Sequence, residues 1–159
     1  MGKPTNGVGF LNNFVTELIA NRILWTSILS WFIAQVIKIF IDLWRYKYFN
    51  KSLLISSGGM PSSHTSFVTA MTTSIGIDNG FDSPLFAISA IVSMVVMYDA
   101  AGVRRAAGKQ AEVLNLLIIK LEDGGLTIDK KLKELLGHSP IEVACGAILG
   151  ILVGLVFYY

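Results

Sequence analysis

Residues 23–44 read ILWTSILSWFIAQVIKIFIDLW, an apolar run that is interrupted only near its end, by Lys38 and Asp42. A helix needs about 20 predominantly apolar residues to cross the hydrocarbon core of a bilayer, and this run is long enough. The whole chain agrees with that length argument, since 53% of its 159 residues are hydrophobic and 15% are charged. Soluble domains carry about 25% charged residues. The sequence therefore predicts an integral membrane protein.

Three further stretches extend this expectation along the chain. The stretch of residues 62–77 is short and rich in Ser and Thr. The stretch of residues 84–103 begins with a proline, which suits the first turn of a helix. The stretch of residues 140–158 ends near tyrosines that are suited to a membrane interface. We therefore predict a single domain, residues 1–159, of the all-α class. Its architecture would be a polytopic membrane helix bundle with about four transmembrane helices.

Two other segments have apolar residues on one helical face only. Residues 1–22 predict an amphipathic N-terminal helix, which would lie on the membrane surface or pack against the bundle. Residues 104–138 form a polar insert between the third and fourth spans, with two helix patterns that end near Gly124-Gly125 and Gly137. These two inserted helices are too short and too charged to span. We expect them to rest on the membrane face or to cover a site.

The distribution of charge predicts the orientation in the membrane. Segments 45–61 and 104–138 hold most of the Lys and Arg residues, so the positive-inside rule places that face of a multi-pass protein in the cytoplasm.

Charge and cysteine content also exclude several kinds of function. A net charge of +2 gives no reason to expect nucleic-acid binding. The single cysteine, Cys145, and two separated histidines do not form a zinc pattern. We expect no metal and no cofactor, and leave open a homo-oligomer.

Charged residues inside a span are candidates for function, because each costs about 2.5–3.5 kcal/mol at the middle of a bilayer. Lys38, Asp42 and Arg45 are separated by four and three residues and share one helical face. One interpretation is that the two cations snorkel toward the interface with Asp42 as counter-ion. The other is that Lys38 and Arg45 together bind a phosphate.

The stretch SGGMPSSHTS, residues 57–66, precedes the second span. Ser62 or Ser63 is suited to be the N-cap of a helix, which explains the serines but not His64 in the first turn. The free N–H groups and the dipole of a helix N-terminus also favour an anion. The stretch is therefore either a plain helix start or part of a site.

A second helix start, GHSPIE, occupies residues 137–142. Ser139, Pro140 and Glu142 match a capping box with proline at the first helical position. His138 and Glu142 are four residues apart, so the carboxylate is also placed to hold the imidazole N–H and fix its tautomer.

Taken in order, these residues resemble the type-2 phosphatidic acid phosphatase superfamily, which includes the vanadium haloperoxidases, and most closely its divergent small membrane branch. The superfamily pattern is K-x6-R-P, then P-S-G-H, then S-R-x5-H-x3-D. Here Tyr46 stands in place of the first proline, Ser63 in place of the glycine, and Glu142 in place of the aspartate. Leu132 stands where the arginine of the third motif is expected, six residues before His138.

The displaced arginine is explained if the insert has entered the third motif, which leaves Arg104 or Arg105 as its counterpart. Two arginines at the end of a span are otherwise a common cytoplasmic anchor. Asp99, one to two turns earlier, is a plausible partner that would direct one of them inward.

The resemblance implies a membrane phosphatase that hydrolyses a lipid phosphate or diphosphate without a metal ion. It assigns His138 as the nucleophile that becomes a phosphohistidine, Glu142 as the residue that orients it, and His64 as the proton donor to the leaving group. The phosphate-binding residues it implies are Lys38, Arg45, Arg104, Arg105, Ser62 and Ser63. The alternatives are a non-catalytic membrane scaffold or anion-binding protein that retains the fold, or a small oligomeric transporter.

Overall fold

The structure is a computed structural model, and it describes residues 7–46, 59–123 and 137–158. The described residues are almost wholly helical and contain no strand. The elements are α1 (Gly7–Ala20), α2 (Arg22–Tyr46), α3 (Ser63–Asn79), α4 (Pro84–Tyr98), a π-helical turn (Asp99–Val103), α5 (Arg104–Asp123) and α6 (Pro140–Phe157). The all-α membrane bundle predicted from the sequence is confirmed.

Helix α3 lies at the centre of the bundle and packs against α2, α4 and α6. Its hydroxyl side chains make the contacts that join it to these neighbours. Ser66 Oγ lies 2.6 Å from Ser30 Oγ of α2, and Thr72 Oγ1 lies 2.7 Å from Ser93 Oγ of α4. Hydrogen bonds between Ser and Thr side chains hold transmembrane helices together where apolar burial gives no driving force. This accounts for the abundance of Ser and Thr in the second predicted span.

Helix α6 approaches α3 through three glycines spaced four residues apart, Gly146, Gly150 and Gly154. A Cβ on Gly150 would overlap Thr69 Oγ1 and Ser66 O of α3, and one on Gly154 would lie 2.8 Å from Thr73 Cβ. Such small-xxx-small patterns allow two helix backbones to come into direct contact. The glycine face of α6 is therefore used inside the chain.

Three helices of the described part of the chain are long and apolar enough to cross a membrane, over Arg22–Trp44, Pro84–Lys120 and Pro140–Phe157, with mean hydropathies of 1.7, 1.8 and 2.2. Helix α3 has 17 residues and is more polar. At 1.5 Å per residue it is about 26 Å long, slightly less than the ~30 Å hydrocarbon core. As a fourth span, α3 stays a prediction that rests on its central position.

The chain remains helical beyond the end of the third predicted span. Helix α4 leads through the π-helical turn directly into α5, so the helical backbone continues from Pro84 to Asp123. The first inserted helix predicted from the sequence is present as α5, and it is joined to α4 through the π-helical turn without a loop. The second inserted helix, near residues 128–136, lies outside the described residues. The prediction of a single domain remains untested.

The N-terminal amphipathic pattern is helical, as predicted, and forms α1. Its apolar residues Leu11, Phe14, Leu18 and Ile19 are exposed. This exposure agrees better with a position on the membrane surface than with packing against the bundle.

Near the α1–α2 junction, a polar contact joins Asp78 of α3 to Tyr158, which follows α6. Burial and a hydrogen bond to Asp78 raise the pKa of Tyr158 to about 12. The neutral phenol donates this hydrogen bond to the carboxylate. The predicted role of Tyr158 as an interface residue is compatible with this bond.

Candidate functional site

The start of α6 positions His138 and Glu142 through a capping box. Ser139 Oγ accepts a hydrogen bond from the Glu142 backbone N–H at 3.3 Å, and Glu142 Oε2 accepts one from the Ser139 N–H at 3.3 Å. Pro140 occupies the first turn, where its missing N–H costs nothing. The same Glu142 Oε2 lies 2.8 Å from His138 Nδ1. The capping and orienting roles predicted for Glu142 therefore coexist in one side chain.

This geometry determines which nitrogen of His138 is available for chemistry. A carboxylate can only accept, so the proton is assigned to Nδ1 and the lone pair to Nε2. The His138 side chain is 2% exposed, and the described residues offer no hydrogen-bond partner to Nε2. The His138 backbone N–H donates to Ala100 O of the π-helical turn at 3.1 Å. His138 is thus held at its backbone and at Nδ1, while Nε2 is left without a protein partner among these residues.

Lys38 is a second buried side chain whose polar atom has no hydrogen-bond partner among the described residues. Its side chain is 1% exposed, and Nζ has no hydrogen-bond partner in the described part of the chain. The carboxylates of Glu142 and Asp42 act on it electrostatically. Lys38 therefore does not snorkel to a water-exposed position, and its charge lies within reach of the Glu142 carboxylate.

Gly59 lies against the stem of Lys38. It adopts a φ of +92°, and a Cβ there would lie 3.4 Å from Lys38 Cγ and Cδ, which is ordinary van der Waals contact. A side chain at this position would be strained by the backbone conformation rather than by lack of space. This explains the glycine immediately before the helix start at residues 60–63.

Gln35 is a half-buried polar residue that the sequence reasoning missed. Its Oε1 is buried and has no hydrogen-bond partner among the described residues. Gln35 precedes Lys38 by three residues, so the two lie on neighbouring positions of one face of α2. The sequence does contain a signal for Gln35. A polar amide within an otherwise apolar span is unfavourable, as a charge is, and is therefore a candidate for function.

Ser62 and Ser63 lie at the start of α3 and are buried. Ser62 is the N-cap, and its Oγ accepts from Thr65 Oγ1 at 3.0 Å and from the Thr65 N–H at 3.4 Å. Its own N–H donates to Glu142 O at 3.0 Å. The capping prediction for Ser62 is confirmed, and its N–H links the start of α3 to the start of α6.

His64 follows this helix start, but its side chain borders a neighbouring groove. The groove lies between α2, α3 and α4, has a volume of about 590 Å³, and is lined by Trp31, His64, Phe67, Val68, Val95, Val96, Asp99 and Ala100. His138 and Lys38 are not among its lining residues. Ala100 links the groove to the site, because it lines the groove and its carbonyl accepts the hydrogen bond from the His138 backbone N–H.

The structure therefore brings His138, Glu142 and Ser62 into direct contact, with Lys38 as an electrostatic neighbour. The backbones of Arg45, Arg104 and Arg105 lie at the end of α2 and the start of α5, and their side chains are outside the described set. Their phosphate-binding roles stay predictions. No group of three or more His, Cys, Asp or Glu residues placed to hold a metal ion occurs in the described ranges.

Comparison with known proteins identifies the family of the chain. No solved structure matches the chain. A membrane protein of Bacillus subtilis (strain 168), named "Uncharacterized membrane protein YuiD", is 46% identical over 154 residues, which cover 90% of this chain and 98% of the relative. The profile of the family described as "Divergent PAP2 family" matches residues 19–153, a range that contains Lys38, the start of α3 and the start of α6. The chain belongs to the Divergent PAP2 family of membrane proteins.

Proposed function

We propose that the protein is a metal-independent phosphatase that hydrolyses a lipid phosphate or diphosphate at His138. The observation that supports this most directly is the hydrogen bonding of the His138 imidazole. Glu142 Oε2 holds Nδ1 at 2.8 Å, and Nε2 is buried without a hydrogen-bond partner from the described residues. A nucleophile oriented by a hydrogen-bonded carboxylate is the arrangement that covalent catalysis by histidine needs.

In the proposed first step, His138 Nε2 attacks phosphorus and the bond from phosphorus to the leaving oxygen breaks. His64 gives its proton to that oxygen, so the leaving group departs as a neutral alcohol when the substrate is a monoester. In the second step His64 takes a proton from water, the water oxygen attacks phosphorus, and the bond to Nε2 breaks. The products are inorganic phosphate and free His138.

Charge on the phosphoryl oxygens has to be balanced in both steps. Lys38 is proposed for this role because its ammonium is buried and has no other hydrogen-bond partner among the described residues. A fixed charge in a water-poor site stabilises a transition state more than one in water does. Arg45, Arg104, Arg105 and the serines Ser62 and Ser63 are proposed as further phosphate contacts on the family resemblance alone.

The proposal is tested by measuring phosphate release from purified protein in detergent. Hexadecyl phosphate, phosphatidate and a polyprenyl diphosphate represent the lipid substrates, and His138→Gln protein prepared in parallel controls for contaminating phosphatases. We expect release by the wild type from at least one substrate, above the His138→Gln background. Equal release by the two proteins on all three substrates would contradict the proposal.

The role of His64 predicts a dependence on the leaving group. With hexadecyl phosphate, His64→Gln should reduce kcat by about 10²–10⁴-fold, since an alkoxide leaves poorly without a proton. With 4-nitrophenyl phosphate, whose leaving group needs no proton, formation of the phosphoenzyme should be much less affected. Burst kinetics on both substrates measure this step separately from hydrolysis of the intermediate. An equal loss in the burst rate on both substrates would show that His64 is not the proton donor.

The enclosure of the candidate site favours one alternative, a non-catalytic protein that retains the fold. His138 and Lys38 are 2% and 1% exposed, so a phosphate reaches them only if neighbouring atoms move apart. A scaffold would keep these groups permanently enclosed. Modification of His138 by diethyl pyrocarbonate, followed by mass spectrometry, distinguishes the two, because an enzyme that opens would be modified and protected by vanadate.

A further inference from the structure

The groove between α2, α3 and α4 has a chemical character that bears on the substrate. Apart from His64 and Asp99, its lining residues are apolar: Trp31, Phe67, Val68, Val95, Val96 and Ala100. The two polar residues lie toward the end at which Ala100 bonds to His138, since His64 is in the first turn of α3 and Asp99 begins the π-helical turn. The groove therefore has one polar end, next to the residue that bonds to the His138 backbone, and is apolar beyond it.

The apolar lining begins very close to the polar end. On α3, the groove residues run only from His64 to Val68, and on the next helix from Val95 to Ala100. At 1.5 Å per residue these stretches are about 6–8 Å long. A substrate with its phosphate at His138 would therefore place the first few atoms after the ester oxygen against Phe67, Val68 and Val96.

This placement distinguishes two kinds of lipid phosphate. In a glycerolipid such as phosphatidate, two ester groups follow within a few atoms of the phosphate, and their carbonyls would enter a lining that is poor in hydrogen-bond donors. Buried acceptors without donors are unfavourable. In the phosphate of a long-chain alcohol, hydrocarbon begins at the first carbon after the ester oxygen, and this matches the lining.

The groove also has room for the first part of such a chain. Its lined stretches are about 6–8 Å long on each helix, and its volume is about 590 Å³. The remainder of a long chain would extend beyond these lining residues.

We propose that this groove binds the leaving group of the reaction, and that the substrate is the phosphate or diphosphate of a hydrocarbon alcohol rather than a glycerolipid phosphate. This inference rests on the proposed phosphatase function. His64 then has a consistent position, because the proposed proton donor borders the groove in which the leaving alcohol is held.

Binding is tested without catalysis by tryptophan fluorescence. The probe is a hexadecylphosphonate with two bromine atoms on its chain, which has no ester bond to hydrolyse and quenches nearby indoles. Trp31 lines the groove, whereas Trp25 lies on the same helix outside it, and the two are 39% and 49% exposed. We expect saturable quenching that disappears in Trp31→Phe and remains in Trp25→Phe. If quenching rises linearly with probe concentration, or if its saturable part persists in Trp31→Phe, the groove is only a lipid-facing surface and the inference is wrong.

Kinetics provide the second test. We expect kcat/KM for hexadecyl phosphate to exceed that for phosphatidate by about tenfold or more. Val95→Trp, which fills the groove, should raise the KM for hexadecyl phosphate about tenfold. Met94→Trp is the matched control, because Met94 and Val95 are 64% and 63% exposed and only Val95 lines the groove.

The two proposals fail in different ways. Saturable quenching of Trp31 without phosphate release from any substrate would support the chain-binding groove and refute hydrolysis. Phosphate release that prefers phosphatidate, or that Val95→Trp and Met94→Trp affect equally, would support hydrolysis and refute the assignment of the groove.

Discussion

Replacing His138 with glutamine is expected to reduce phosphate release from hexadecyl phosphate by at least about 10³-fold, the size of effect seen when a catalytic nucleophile is removed. Glutamine retains a polar side chain of similar size but has no nitrogen lone pair able to attack phosphorus. Its amide can still donate to Glu142 Oε2, which His138 Nδ1 approaches to 2.8 Å in the structure. The capping box formed by Ser139 and Glu142 does not involve the imidazole and should remain intact.

The covalent intermediate makes this prediction specific. Wild-type protein mixed with ³²P-labelled substrate and quenched in alkali should carry label that is stable to base and released by acid, as expected for a phosphoramidate. His138→Gln should carry none. His64→Gln should accumulate label from 4-nitrophenyl phosphate, because the second step still lacks its base. Base-stable label of equal amount on His138→Gln would show that the nucleophile is another residue.

Replacing Gly150 with alanine is expected to destabilise the bundle by about 3 kcal/mol, at the upper end of overpacking effects. The added Cβ would overlap Thr69 Oγ1 and Ser66 O and lie 2.9 Å from Ala70 N. Two of these three atoms belong to the backbone of α3, which cannot rotate away as a side chain does. Relief requires that α6 move away from α3, and this would also separate Glu142 O from the Ser62 N–H.

The measurement is the unfolding of detergent-solubilised protein by increasing mole fractions of SDS, followed by circular dichroism. Gly102→Ala is the matched control, because a Cβ on Gly102 would have no neighbour within 4 Å and its φ is not positive. We expect the control to differ from wild type by less than about 0.5 kcal/mol. Equal stability of the Gly150→Ala and Gly102→Ala proteins would show that α3 and α6 are not in contact as described.

Much of the site could be predicted because its signals are local. The Ser139–Glu142 capping box and the His138–Glu142 pair depend on spacings of three and four residues within one helix start, and both are present. The cap at Ser62 is local in the same way. These arrangements follow from helix geometry, whatever the helices pack against.

The parts that were missed depend on contacts between distant segments. The groove combines residues of α2, α3 and α4 that are far apart in sequence, so no spacing rule indicates it. The same is true of Lys38 and Gly59, whose contact depends on how the chain returns from α2 to α3.

The hydroxyl-rich α3 also has a consequence for how the protein is made. Such a helix gains little by entering lipid alone, since Ser and Thr side chains need partners there. Its partner Ser30 lies on α2, which is synthesised earlier, but the carbonyl of Ala147 that accepts from Thr69 lies on α6, which is synthesised much later. The contacts that join α3 to α6, and with them the bond from the Ser62 N–H to Glu142 O, therefore form only after α6 has been synthesised. His138 and Glu142 reach their places beside α3 only at that stage.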